Sequence, residues 1–215
     1  MHKRLISWRQ ELQAHKKQIL ISLGFLILAA YVLHFTSSYA DQAGDGSAKD
    51  LILDHIPVVD LTPLLVYGYM FVVFTLFLYP LFFRVRKLHT VIILASLVLI
   101  VRGFFVSLTH LSMPAGAIIS RVPELYNLFY YRNDLFFSGH TALPFLGYLI
   151  FRKEKMGKFF LVSTIVMAST VLLMHVHYSI DVFAALFITY GVYRGGSLLM
   201  KRYAWAERTS AKTKA

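Results

Sequence analysis

Six apolar runs separated by short polar breaks organise this chain from end to end. A helix crossing the hydrocarbon core needs roughly 20 mostly apolar residues, because the core is about 30 Å thick and each residue rises about 1.5 Å. The runs predict spans near Ile19–Tyr39, Leu61–Phe83, His89–Thr109, Phe137–Phe151, Lys158–His175 and Tyr178–Met200, each bounded to within a few residues. The expected fold is therefore all-α, a polytopic membrane bundle of six transmembrane helices. No soluble domain is left over: a basic arm (1–18) precedes the membrane domain (19–200), and a basic tail (201–215) follows it. No internal repeat is visible. The soft stretch "DQAGDGSAKD" reads as a polar loop leading into a short segment around Leu51–Asp60.

Composition agrees with the pattern, since 57% hydrophobic residues and a mean hydropathy of +0.60 exceed what a soluble domain carries. Cysteine is absent, which removes disulfides, thiolate metal sites and thiol nucleophiles. The net charge of +11 follows the loops and gives no sign of a nucleic-acid partner. Lys3, Arg4, Arg9, Lys16 and Lys17 lie in the arm, Arg84, Arg86 and Lys87 in the second loop, Arg152, Lys153, Lys155 and Lys158 in the fourth. Lys201, Arg202, Arg208, Lys212 and Lys214 lie in the tail. The first loop is acidic, with Asp41, Asp45, Asp50, Asp54 and Asp60 against Lys49. Because Lys and Arg beside spans stay on the cytoplasmic side, both termini and the even loops are expected inside and the odd loops outside. "SSYA" ahead of Asp41 imitates a cleavage site, but the apolar stretch exceeds a signal-peptide core of about 7–15 residues, so an uncleaved anchor is expected. The loop aspartates read as solvating, with Asp54 or Asp60 as alternatives that shape a site entrance.

Ionisable groups in or near spans are costly unless they face a cavity or a partner. Here they are Arg102, His110, Asp134, His140, His175, His177 and Asp181, and on the expected topology all lie toward the outer side. In "HVHYSIDV", His177 and Asp181 are four apart, a spacing that on a helix stacks them on one face. A carboxylate holding one imidazole nitrogen leaves the other as nucleophile or base. The plain alternative is a pair that only locks two helices. In "NDLFFSGHTALP", Ser138 and Gly139 fall at a helix N-terminus, where free N–H groups and the helix dipole favour phosphate and glycine permits close approach. Ser138 either caps the helix or bonds the anion. His140 just beyond it is placed to protonate a leaving oxygen. His34, His55, His89 and His110 read as interfacial or loop histidines, and "YNLFYY" (126–131) as an interfacial belt, a short helix or a lipid entrance.

These two motifs resemble those of the type 2 phosphatidic acid phosphatase superfamily, in particular its sphingomyelin synthase branch. "NDLFFSGHT" looks like that branch's third motif and "HVHYSIDV" is similar to its fourth, H-x-H-Y-[ST]-x-D-V, while "RGFFVSLTHLSMP" is similar to a further motif through Arg102, Thr109 and Pro114. The resemblance implies a six-helix core, His177 as nucleophile, Asp181 as its orienting group and His140 as acid and base. Ser138 and Gly139 would hold the phosphate together with Arg102, with Arg121 and Arg132 as weaker candidates, and Asp134, Tyr178 and His175 would support the site. The lipid phosphatases' K-x6-R-P motif is missing, and Val171 stands where their second arginine would be. Fewer cations favour a phosphodiester over a doubly charged monoester. The implied chemistry is head-group transfer from a phospholipid to a ceramide, a diacylglycerol or water through a phosphohistidine. No cofactor or metal is needed; zinc held by His175, His177 and Asp181 is the weaker alternative. The partners expected are a phospholipid, a lipid or water acceptor and the membrane. The classes kept open are a lipid phosphate phosphatase, a non-catalytic lipid-binding relative and a transporter, although the last predicts repeated, broken helices that are not found. In a bacterial host the site would face outward from the inner membrane.

Overall fold

The computed structural model describes residues 2–118, 131 and 133–213. Among these there is no strand, and the elements in order are α1 (His2–Ala43), a 3-10 turn (Leu53–His55), α2, α3 (Val85–Leu108), α4 (Gly139–Phe151), α5 (Lys155–Leu173) and α6 (Ser179–Thr213). Helix α2 starts with a π-helical stretch, Leu64–Gly68, and continues as Tyr69–Phe83. Among the described residues, five helices are long and apolar enough to cross a membrane: Ile6–Ala43, Leu64–Phe83, Val85–Leu108, Lys155–Leu173 and Ser179–Arg202. The chain is an integral, multi-pass membrane protein with an all-helical bundle fold.

Helix α3 is the hub, because its apolar positions recur at spacings of three and four and supply buried residues on more than one side. Val91, Leu94, Ala95 and Val98 join a core with Leu76, Phe137, Ala142, Leu146, Phe151 and Phe160. Helix α1 packs along α3, and α4 sits among α2, α3, α5 and α6. The outer faces of the bundle stay apolar, with Ile27, Phe71, Phe74 and Phe187 well exposed, as suits contact with lipid.

Two ends are distinguished by their hydrogen bonds. At one end, Trp8 Nε1 donates to the Leu81 carbonyl (2.8 Å), while Glu154 accepts from Tyr79 (2.9 Å), Arg84 (2.9 Å) and Lys87 (2.8 Å). At the other, Asp45 N–H donates to His110 O (2.9 Å), Val59 N–H to Leu173 O (2.8 Å) and Ile118 N–H to Met174 O (3.0 Å). The basic loops thus gather with the N-terminal arm, opposite the first, third and fifth loops. The arm is continuous with the first span as one helix, and α6 runs on into the tail.

The fourth predicted span is shorter than the others. Helix α4 has 13 residues, about 20 Å at 1.5 Å per residue, which is less than a full crossing. The reason lies just upstream, where Phe136 takes a positive φ of 88° and Ser138 is extended (ψ 108°), so Leu135 and Phe137 are buried in non-helical chain. Helices α4 and α5 meet at Gly147, where an added Cβ would lie 2.6 Å from Cδ1 of the fully buried Phe160.

Gly147→Ala should therefore lower stability by about 1–3 kcal/mol, the usual cost of overpacking. Thermal unfolding in detergent is the readout, with Gly191→Ala as control, since a Cβ there meets nothing within 4 Å; the control should be unchanged or slightly stabilised.

Candidate active site

Helix α6 begins at Ser179, directly after the turn that carries His175 and His177. Asp181 stands in its first turn and reaches back, accepting the backbone N–H of Tyr178 (3.1 Å), which is half of a capping box. The same oxygen, Oδ2, lies 3.0 Å from His177 Nδ1. A carboxylate only accepts, so Nδ1 carries the hydrogen and Nε2 presents its lone pair. Both side chains are buried, Asp181 completely. The pair anticipated on one face of a helix is formed instead across the helix start, because His177 precedes α6 and the capping geometry folds it over the first turn.

Ser138 and Gly139 do lie at the N-terminus of α4, with Ser138 in the capping position. Its side chain makes no capping bond; its Oγ accepts from Thr141 Oγ1 (3.4 Å), and its backbone N–H donates to the Asp181 carbonyl (3.2 Å). That last bond joins the two motifs directly. Beside Gly139 an added Cβ would stand 3.4 Å from Arg102 Nε and 3.7 Å from Tyr69 Oη, so glycine keeps this approach open. The His140 ring packs between Tyr69 (centroids 4.3 Å apart) and His177 (6.0 Å, edge-on).

Arg102 is fully engaged in protein contacts. Its Nη1 meets the Asp134 carboxylate at 2.7 Å, Nη2 donates to the Asp134 carbonyl (3.1 Å) and Nε to the Phe137 carbonyl (2.8 Å). It thus makes a structural pair with Asp134, and the guanidinium still lies against the N-terminus of α4. Thr109 Oγ1 also reaches the Leu135 carbonyl, at 3.5 Å.

The acidic loop requires a correction. Asp50, read as solvating, is buried: Oδ2 accepts the Ser179 N–H (2.6 Å) and Oδ1 those of Ile52 (2.9 Å) and Leu53 (3.2 Å). The helix start attracts a carboxylate, and this one comes from the first loop. Asp41 likewise holds the backbone N–H of Asn133 (2.9 Å). Tyr178 completes the closure, accepting the Ala48 N–H (2.9 Å) and donating to the Ser112 carbonyl (2.9 Å). His175 takes a positive φ of 55° and faces the Ala115 carbonyl through Nδ1 (3.3 Å). Tyr69 was not singled out in the sequence; it is one aromatic in an apolar run, and its only signal is the π-helical stretch before it, a feature frequent at functional sites. Arg121, Arg132 and residues 126–130 lie outside the described residues. Among the described residues no three His, Asp or Glu side chains converge as metal ligands do.

Two histidines, one in the turn before α6 and oriented by a carboxylate, the other in the first turn of α4, now lie side by side, and the segment that carries them can be compared with known families. Residues 133–196 match the PAP2 superfamily C-terminal family. The matched stretch carries Asp134, Ser138, Gly139, His140, His175, His177, Tyr178 and Asp181, and so includes both motifs. It supports a phosphatase- or phosphotransferase-type activity on phosphate esters. No curated protein matches the chain. Within the matched segment Val171 is fully buried in an apolar cluster with Met167 and Met174.

Removing one partner of the Arg102–Asp134 pair should cost about 3–5 kcal/mol, because the other charge is left buried and alone. Arg102→Met should lower the unfolding temperature in detergent more than Asp134→Leu, and the double variant should not recover the wild-type value, because the Asp134 and Phe137 carbonyls also lose their donor. The Asp50 clasp predicts a pH effect. Burial raises the Asp50 carboxyl, but the hydrogen bonds from Ser179, Leu53 and Ile52 outweigh it and hold the group below its ordinary 3.8. A depressed folded value means the contribution is complete above the unfolded value and is lost as pH falls through the folded one. Hydrogen exchange at Ser179 should stay slow down to about pH 4 and accelerate below it, after correction for intrinsic rates; Asp50→Asn should remove the transition.

Proposed function

We propose that the protein acts on phospholipid head groups as a phosphotransferase or phosphodiesterase, in the manner of the sphingomyelin synthase branch. The observation that carries this reading is the His177–Asp181 pair (3.0 Å) with the His140 ring 6.0 Å away at the start of α4. His177 Nε2 attacks phosphorus, and the bond to the diacylglycerol oxygen breaks as His140 protonates it. The product is a phosphohistidine bearing the head group. His140, now neutral, takes the proton of a second hydroxyl, which attacks phosphorus and frees His177. Asp181 holds the tautomer and stabilises the imidazolium in both steps. The N–H groups at the start of α4 would hold the phosphate with Ser138 and Gly139, and Arg102 would add its charge from beneath Gly139.

A ceramide or diacylglycerol acceptor makes the enzyme a synthase, and water makes it a phospholipase C. A lipid phosphate phosphatase is the second reading, supported by the family match but weakened by the apolar Val171 and the missing K-x6-R-P motif. In a non-catalytic lipid-binding relative the same residues would only hold a head group. The shared end of the basic loops and N-terminal arm favours cytoplasmic termini and a site on the extracytoplasmic face.

Purified protein given head-group-labelled phosphatidylcholine, phosphatidylethanolamine or phosphatidic acid, with and without ceramide, distinguishes these readings by mass spectrometry of the products. Diester cleavage is expected, with a loss of about 10³-fold or more in His177→Ala, and an acid-labile head-group adduct on His177 in rapidly quenched wild-type protein. Phosphate release from phosphatidic acid alone would move the protein to the phosphatases. Lipid binding without turnover would leave the non-catalytic reading.

A further inference from the structure

Among the described residues, Tyr69 alone packs against both of the larger apolar clusters from outside them. The first gathers α3, α4 and the chain between them, with Leu94, Val98, Phe137 and Ala142. The second holds Met174 and Val176, in the turn that leads to His177. The Tyr69 hydroxyl donates to the Gly139 carbonyl (3.3 Å), and its ring lies against that of His140, with centroids 4.3 Å and planes 47° apart. One tyrosine thus touches the residue that opens α4, the histidine that follows it and the apolar packing beside the other histidine.

The two histidines are oriented by different means. His177 is held through Nδ1 by the Asp181 carboxylate (3.0 Å). His140 stands between rings, with Tyr69 on one side and His177 edge-on at 6.0 Å on the other. Rings 4.3 Å apart are in contact, so the imidazole cannot turn about its side-chain bonds unless the tyrosine gives way. The tyrosine is itself pinned, by its hydroxyl bond at one end and by the two clusters around its ring. Its helix leaves α geometry over Leu64–Gly68, just before it, as helices frequently do at functional sites. We propose that Tyr69 is a positioning residue for His140, its aromatic face fixing the angle at which the imidazole meets His177. The proposal rests on the two-histidine reaction above, in which one ring attacks phosphorus and the other protonates the leaving oxygen. Both must address one phosphoryl group, and a misplacement of about 1 Å costs about 10²-fold in rate. Tyr69 takes no proton and makes no bond in that reaction.

The test uses full-length protein in detergent, each variant held below the onset of its own thermal unfolding. Tyr69→Met fills the volume without a flat face, and Tyr69→Phe keeps the face. Phe77→Met removes a half-buried ring farther along the same helix. Cross-relaxation between the ring protons of His140 and His177, in protein protonated only at histidine, reports their mutual placement without turnover; His140→Asn and His177→Asn identify the signals. The cross-peak should be present in the parent, kept in Tyr69→Phe and Phe77→Met, and lost in Tyr69→Met. On whichever labelled phospholipid the parent turns over, Tyr69→Met should lower kcat about 10²-fold with KM unchanged. Tyr69→Phe should stay near the parent. A tyrosine that only packs would lower the unfolding temperature of Tyr69→Met and Phe77→Met alike and leave the cross-peak and kcat in place, which overturns the proposal. A parent without the cross-peak, or Tyr69→Phe as impaired as Tyr69→Met, overturns it too. Loss of the cross-peak in Tyr69→Met, with no lipid turned over by the parent, supports the placement and overturns the reaction. Turnover with unchanged kcat in Tyr69→Met supports the reaction and overturns the placement.

Discussion

A length of non-helical chain buried inside a membrane bundle must satisfy its own carbonyls, and here Arg102 does so. The segment from Asn133 to Ser138 is neither helix nor strand, yet Leu135, Phe137 and Ser138 are buried. In a spanning protein such backbone is tolerated only inside protein, where its polar groups find partners. The guanidinium takes the carbonyls of Asp134 and Phe137 and neutralises the Asp134 carboxylate. With that anchor in place, α4 starts at Gly139, His140 faces inward, and Ser138 N–H can meet the Asp181 carbonyl. The two histidines are neighbours because one arginine from α3 fixes where the chain stops being extended and becomes helix.

The second motif is held from its other side by the first loop. Asp50 supplies the carboxylate that the start of α6 attracts, and Tyr178 bonds to residues of both the first and third loops. Contacts that fix the site thus come from α2, α3 and two loops, while the candidate reactive residues sit at two helix starts, His140 in the first turn of α4 and His177 just before α6. Such division is common where rigid helices position side chains carried at their ends. Both non-glycine residues of positive φ among the described residues, Phe136 and His175, occur just ahead of these helix starts.

The helices and the polar residues of the candidate site were legible because both leave local marks. Apolar runs near 20 residues announce spans, and "SGH" and "HVHYSID" announce polar atoms where lipid forbids idle ones. The geometry around them left no such mark. An aspartate in a polar loop looks the same whether solvated or buried against Ser179, so the role of Asp50 was invisible. Tyr69 was one of many aromatics in an apolar run. The His177–Asp181 spacing was legible but its setting was not, since four residues also suit a cap that folds the histidine back over the helix start. The short α4 was hidden because an extended stretch of Leu and Phe has the same hydropathy as a helix.

That short helix sets the depth of the candidate site. If α4 lies along the bilayer normal beside α3, its roughly 20 Å leaves about 10 Å of the hydrocarbon thickness to be filled by folded loop and extended chain. The histidine pair then sits in a recess below the plane where head groups ordinarily float. A lipid reaching it must sink, carrying its acyl chains toward the opposite leaflet, or the bilayer must thin around the bundle. On the function proposed above, vertical displacement of a single lipid becomes a coordinate of the reaction, and the thickness of the surrounding membrane one of its variables.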